Sequence, residues 1–501
     1  MAFTRLLSRW LNYLNLLGFS VVCYSGKVFY LPILPLRQRG DLFVGRLGKF
    51  SFFPLYRLPA KSRATHLYVI GLSGKGKSKF LQNLIVQDVL SGQGCGVIDP
   101  HSDLARDVFE QLVAVGYFDT PSHIRRVLYL DMTDSQHLPA FNVLAVPGEP
   151  YAIAQLVIEA FRRTWPEALK EAPQFSNVML SGLIVLIKTK QTLVQLHRLL
   201  VDKAWRDERL KEAADEEANA FFHNRYELWG RNAPGMIEST LNKVSAFTFN
   251  PTLKRMLGAK ENALDFRALM DNQKVLLCDL GGEPETRRLL GSLLVTFLEY
   301  AAFTRRDIPT HKRIPFYLYM DEFQDFSAND GSAKTLSQIL SEARKFGLHL
   351  TLAHQSLSQL QTRLTGAIGN IQTKAIFGIG RQEAEYFSKA IGRVDPEAVK
   401  RSAKTSTQND LFEPLENQWE SWVNRLHFLP PRQFTLATNG KVVGIHTLSI
   451  PPHRASHKQI EAIRQECQRY GIPHAQAKRN VETVEQRETS PPETECFYDV
   501  P

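Results

Sequence analysis

The sequence predicts an α/β protein built on a predominantly parallel sheet and interrupted by an all-α inserted domain. Three observations carry this. Short apolar strand signals alternate with helical ones over residues 66–146, the alternation resumes near residue 272, and residues 148–248 contain no convincing strand. Such alternation is the pattern of a parallel sheet covered by helices. The 501 residues, 44% apolar and 22% charged, form a globular composition too long for one ordinary core. That composition excludes a disordered, collagen-like or multi-span membrane chain.

In chain order, HLYVIG reads as a strand, followed by a helix to Leu90, the strand GCGVID, a helix from Ser102 to Val115, and the strand RVLYLDM. Residues 148–248 read as amphipathic helices. Among them VMLSGLIVLI (178–187) is too short to cross a bilayer and predicts a buried core helix, and the charged stretch 205–229 reads as helical throughout. QKVLLCDL, PFYLYMD, LHLTLAH and KAIFGIG predict four more strands, and QFTLAT-NG-KVVGIHTL (433–448) predicts a hairpin turning at Asn439-Gly440. Beyond Pro452 a short helix and a loose tail are expected. The resulting division is an N-terminal arm over 1–60, a nucleotide-binding domain over 61–147 and 249–452, an all-α insertion over 148–248, and a C-terminal segment over 453–501.

The net charge of +10 is unevenly placed. Residues 1–65 hold ten Lys/Arg against Asp41 alone, +9, and leave the remainder at +1. A basic arm suits an anionic partner, phospholipid or nucleic acid, and equally a solvated tail. Leu6, Leu7, Trp10, Leu11, Leu14 and Leu17 recur at helical spacing, and 21–32 read as a hairpin around Ser25-Gly26. The charge-free run Trp10–Gly26 has 17 residues, short of the roughly 20 that a span needs. A helix lying in a membrane interface and a helix packed on the next domain both fit. No signal-peptide cleavage pattern is evident. Five cysteines, Cys23, Cys95, Cys278, Cys467 and Cys496, lie far apart with no CxxC pair, which suits a reducing cytoplasm and neither a zinc site nor a disulfide framework.

Gly71-Leu72-Ser73-Gly74-Lys75-Gly76-Lys77-Ser78 matches G-x-x-x-x-G-K-[ST], after an apolar strand and at the start of a helix. Glycines let the backbone turn tightly enough for successive N–H groups to converge on phosphates, and the helix start adds its positive dipole end. The pattern predicts ATP held by Gly71, Ser73, Gly74, Lys75, Gly76, Lys77, Ser78 and Lys79. Lys77 would reach the β- and γ-phosphates, and the Ser78 hydroxyl would ligate Mg²⁺. The strand Phe316–Met320 runs into Asp321 and Glu322. Laid next to the phosphate loop, it would aim Asp321 at the Mg²⁺ shell and let Glu322 orient and deprotonate the attacking water. Gln355 ends another strand and reads either as a γ-phosphate sensor or as an ordinary strand-end amide. Arg381 follows KAIFGIG and reads either as an arginine finger supplied across a subunit interface or as a surface arginine starting a helix.

Taken together, THLYVIGLSGKGKS, GVIDPHSDLARDV, FYLYMDEFQDF and LSEARKFGLHLTLAHQSLSQL resemble the type IV secretion coupling proteins, the conjugation ATPases of TraG/TraD type, within the FtsK/HerA class of RecA-like motors. The likeness covers roughly 42–450, including the helical insertion and the ending LPPRQFTL…HTLSIPP. It implies a RecA-like P-loop NTPase domain and a homo-hexameric ring with ATP at subunit interfaces. It also implies a channel that grips single-stranded or duplex DNA, a relaxase and secretion-channel proteins as partners, and a place in the cytoplasm or at the inner face of the cell membrane. Lys77, Ser78, Asp321, Glu322 and Gln355 fall on the family's phosphate-loop, metal, catalytic and sensor positions. The family's arginine commonly stands where this chain has Gly378, and Arg381 lies three residues later. The second-strand motif Asp99-Pro100-His101-Ser102-Asp103 reads as setting loop geometry.

Three functions are compatible with these residues: a DNA-translocating ATPase of conjugative transfer, a soluble HerA-like DNA-processing motor, and a nucleotide-gated DNA-binding platform with little turnover.

Overall fold

The computed structural model describes residues 20–24, 27–31, 40–49, 54–132, 138–170, 174–326, 340, 342–360, 362–397, 414–450 and 455–471. The chain divides into two compact units. One comprises 1–129, 266–281 and 294–465, the other 130–265, 282–293 and 466–501. The interfacial helix expected near residues 6–17 and the tail beyond 471 lie outside the described residues. No helix among the described residues is long and apolar enough to cross a membrane.

Thirteen strands are described: β1 (Ser20–Tyr24), β2 (Lys27–Leu31), β3 (Leu42–Arg46), β4 (Leu55–Leu58), β5 (Leu67–Ile70), β6 (Gly94–Asp99), β7 (Val127–Asp131), β8 (Val275–Asp279), β9 (Phe316–Met320), β10 (Leu348–His354), β11 (Thr373–Ile376), β12 (Gln433–Thr438) and β13 (Lys441–His446). Strands β1 and β2 form an antiparallel pair, the hairpin expected at 21–32. The others form one sheet in the order β4-β3-β13-β12-β11-β5-β10-β9-β6-β8-β7. Strands β11, β5, β10, β9, β6 and β8 run parallel, so their C-terminal ends share one edge. All six are buried along their length. That is why each reads as a continuous apolar run rather than an alternating one.

The acidic strand β9 is not the neighbour of the phosphate-loop strand β5, because β10 lies between them. Strands β3 and β4, inside the segment read as an arm, extend the same sheet antiparallel beyond β13. The Gln87 side chain anchors β3 by acting as a substitute strand: its Oε1 accepts from Phe43 N–H (2.9 Å) and its Nε2 donates to the Phe43 carbonyl (2.9 Å).

A desolvated charge holds the phosphate-loop helix, Lys77–Leu90, to this sheet. Arg63 is buried, and its guanidinium donates to both Asp88 oxygens (2.8 and 2.6 Å), to the Tyr319 hydroxyl (3.0 Å) and to the Gly40 carbonyl (2.8 Å). Tyr319 in turn donates to Asp88 (2.6 Å), and the guanidinium stacks on Tyr317 at 3.6 Å. Asp88 belongs to the helix, and both tyrosines belong to β9, two strands from β5.

The second unit is helical. Phe175–Lys188 is its central helix, with Val178, Met179, Leu183, Val185 and Leu186 buried, as the ten-residue apolar run predicts. A Cβ at Gly182 would come within 2.7 Å of Leu196 Cδ1, so the missing side chain is what lets Leu196–Val201 approach. The charged stretch 205–229 is helical, as expected, and is built of several short pieces. Lys203–Ala213 ends at Ala214 in a left-handed conformation, and Asp215 starts Glu216–Phe221 by accepting from Ala218 N–H (2.9 Å). A carboxylate at that position favours a new helix start over continuation.

Arg63→Met leaves Asp88 buried without its cation, a loss of about 3–5 kcal/mol. Urea denaturation of the first unit should show it, and a change under about 1 kcal/mol would mean that the guanidinium does not hold this unit together.

Candidate active site

The phosphate loop leaves β5 and enters the helix within eight residues, with Gly74 at φ 75° and Gly76 at φ 103°. Both are left-handed conformations that cost a side chain little only when there is none. At Gly71 the demand is space, since a Cβ would meet Phe377 Cβ at 2.5 Å. Neighbouring strand ends anchor the loop. Gly71 N–H donates to the His354 carbonyl (3.4 Å) and Leu72 N–H to the Gly378 carbonyl (2.9 Å). Ser73, Gly74 and Ser78 face solvent, while Lys77 is buried with its ammonium on the Gly71 carbonyl at 2.6 Å. Burial lowers the Lys77 pKa, and the Glu322 and Asp321 carboxylates oppose that shift. A cation resting on a neutral carbonyl beside a helix start is one that an incoming phosphate can recruit.

Asp321 and Glu322 leave β9 level with that lysine. The Ser78 hydroxyl lies 3.5 Å from Asp321 Oδ2. Asp321 is buried, and its pKa is raised to about 6, first by burial and then by the Glu322 and Asp99 carboxylates. Glu322 takes φ 43°, unusual for a residue with a side chain. Asp321 Oδ1 fixes this conformation by accepting Glu322 N–H at 3.1 Å. The Glu322 carboxylate is held from two sides. Gln355 Nε2 donates to Oε1 (2.7 Å), and Gln324 Nε2 donates to Oε2 (2.8 Å). The interposed strand β10 is what carries Gln355 to this place.

Lys77, Ser78, Asp321, Glu322 and Gln355 thus converge. Three other expected residues turn elsewhere. The Lys79 ammonium is exposed and joins Asp107 (2.5 Å) and Gln82 (3.1 Å). Lys75 donates to the Leu429 carbonyl (3.0 Å). Arg381 stands exposed at the start of helix Arg381–Ile391, where Glu420 accepts its guanidinium at 3.0 and 2.9 Å and Glu385 at 3.2 Å. The glycine at 378 also has a local reason. A Cβ there would sit 2.8 Å from Lys75 Cε and 2.9 Å from the Leu429 carbonyl, so the lysine fills the space a side chain would need. Asp99 accepts from His101 N–H (2.9 Å) and Ala105 N–H (3.0 Å), shaping the turn into helix Asp103–Ala114.

The sequence reading missed Gln324. It lies two residues past Glu322 in a short turn, and an amide there carries no motif signal. It also missed the effect of Asp99 on Asp321. A signal for that was present: the apolar runs of β9, β6 and β8 are each followed or ended by aspartate, at Asp321, Asp99 and Asp279.

The parallel strand, glycine loop, helix start and carboxylate pair one strand removed make up a RecA-like P-loop fold. Residues 315–427 match the family model described as the TraM recognition site of TraD and TraG. The chain is similar to the bacterial conjugative coupling protein TrwBΔN70 at TM-score 0.58 and 17% identity, over 80% of this chain and 89% of that one. It is similar to the plasmid coupling protein TrwB in complex with ADP and Mg²⁺ at TM-score 0.56 and 16% identity, over 79% and 88%. VirB4 of Thermoanaerobacter pseudethanolicus matches at TM-score 0.53 and 13% identity, over 81% and 96%. No curated protein matches the chain. The family model and the shared fold together bear out the resemblance to the type IV secretion coupling proteins.

Among the described residues no group of three or more His, Cys, Asp or Glu could hold a metal ion by itself. The Ser78 hydroxyl and the Asp321 carboxylate are nevertheless hard oxygen donors, the set that suits Mg²⁺ arriving on phosphates. Below about pH 6 Asp321 carries a proton that the ion must displace. The Mg²⁺-dependent part of nucleotide affinity should therefore fall by about tenfold per pH unit below that point and level off above about pH 7. Titration of a fluorescent nucleotide with and without Mg²⁺ checks this, and an affinity that does not change with pH would contradict it.

Proposed function

We propose that the chain is an ATP-driven DNA translocase acting as a coupling protein in conjugative transfer or type IV secretion. The observation that carries the reading is the convergence of Lys77, Ser78, Asp321, Glu322 and Gln355 at the C-terminal edge of the parallel sheet. ATP is held by the loop Gly71–Ser78, whose exposed turn and helix start meet the phosphates. Lys77 leaves the Gly71 carbonyl for the β- and γ-phosphate oxygens. Ser78 and Asp321 hold Mg²⁺, which when bound neutralises charge on those phosphates. Glu322 receives the proton of the attacking water, and Gln355 keeps its carboxylate in place.

Arg381 supplies the finger to a neighbouring copy in a homo-hexameric ring, exchanging Glu385 and Glu420 for the transferring phosphate. DNA passes through the ring, contacted mostly at its phosphates. The match of 315–427 to a TraM recognition site supports a relaxosome protein as partner, beside a relaxase and the secretion channel. The basic residues ahead of β3, Arg5, Arg9, Lys27, Arg37 and Arg39, meet the inner face of the cell membrane from the cytoplasm.

Steady-state hydrolysis with and without single-stranded DNA tests this. DNA should stimulate turnover, and Lys77→Ala and Glu322→Gln should each lower it by about a hundredfold or more. Unchanged turnover in either variant would remove the site assignment. Arg381→Ala should reduce hydrolysis at least about tenfold more than nucleotide binding, and equal loss of both would remove its finger role.

A further inference from the structure

The Glu322 carboxylate has to be aimed, and its own backbone cannot do all of it. Its left-handed φ of 43° fixes where the side chain leaves the chain but not how the carboxylate plane is turned. Rotation of that plane is soft, because terminal torsions of this kind have broad wells. One amide, from Gln355 to Oε1, would leave Oε2 free to swing about that contact. The second amide closes this freedom, since Gln324 Nε2 reaches Oε2 at 2.8 Å from the turn that follows β9. The two donors come from separate elements, one from the end of β10 and one from residues Phe323–Phe326. A carboxylate has about four acceptor positions, so two amides leave room for a water on the same group.

We propose that Gln324 is a positioning residue for hydrolysis, which together with Gln355 clamps the Glu322 carboxylate in the plane that accepts the water proton. The inference rests on Glu322 being the base, as proposed above. Gln324 Nε2 contacts the Glu322 carboxylate. It acts through Glu322, so its loss slows the chemical step and leaves nucleotide binding to the phosphate loop unchanged.

The test compares full-length wild type with Gln324→Met, which keeps the length and removes the donor, and Gln324→Glu, which keeps the shape and places a second anion beside Glu322. A hydrogen bond to a charged group typically accounts for about tenfold or more in rate. Gln324→Met should lower kcat about tenfold or more with KM for ATP within about twofold, and Gln324→Glu should lower kcat further. Thermal melts of both variants should stay near wild type. A crystal structure of Gln324→Met should show the Glu322 carboxylate rotated away from its Gln355-bound plane. Glu322→Gln is run alongside. If it abolishes turnover while Gln324→Met keeps the wild-type kcat, the clamp is wrong and the base assignment stands. If Glu322→Gln keeps turnover, the base assignment itself fails. Should kcat and KM change together, or the melting temperature drop, Gln324 would be a structural residue of the turn and the proposal would be overturned.

Discussion

A guanidinium removed from water must find partners for all its donors or it costs several kcal/mol. Arg63 meets that demand with Asp88, Tyr319 and the Gly40 carbonyl, and these partners come from three separate stretches of chain. Satisfying one buried charge therefore fixes the phosphate-loop helix against β9 across an intervening strand. Everything at the site inherits that spacing. Lys77 and Ser78 start the helix that Asp88 anchors near its other end, and Asp321 and Glu322 follow directly on the strand that holds Tyr319.

Parallel pairing does the rest. Six strands with a common direction bring their last residues to one edge, and three neighbouring strands there, β5, β10 and β9, deliver the loop, Gln355 and the carboxylates in turn. The cost is a concentration of negative charge in a dry place. Asp99 and Glu322 both push Asp321 upward, and burial does so more strongly than either. A carboxylate so placed is poorly satisfied by the protein alone and well suited to a cation brought in with phosphates. The same strand end reaches outward as well. Ser356, next to Gln355, donates to Glu383 (2.6 Å) in the helix that Arg381 begins. A single hydrogen bond thus joins the end of β10 to the helix that the proposed finger begins.

Much of this was legible in the residues. Fully buried parallel strands read as uninterrupted apolar runs, so β5 to β11 and the Asn439-Gly440 hairpin stood out, and the loop from Gly71 to Ser78 announced its own chemistry. Strand order was not legible. Nothing local in LHLTLAH says that it inserts between HLYVIG and FYLYMD, because that depends on contacts hundreds of residues apart. Strands β3 and β4, at one end of the sheet, escaped for a related reason. They are short, and β3 is held by the side chain of Gln87, which no periodicity reveals. Gln324 and the Lys75 side chain filling the space beside Gly378 depend on three-dimensional neighbours in the same way.

The central claim is that the loop, the carboxylate pair and the two glutamines form one nucleotide-hydrolysing site. A crystal structure with a non-hydrolysable ATP analogue and Mg²⁺ tests it most directly. The triphosphate should lie on Gly71–Ser78, with the Lys77 ammonium moved from the Gly71 carbonyl to the phosphates, Mg²⁺ on Ser78 and Asp321, and a water at Glu322. Nucleotide bound elsewhere, or Lys77 still resting on Gly71 with the phosphates in place, would contradict it.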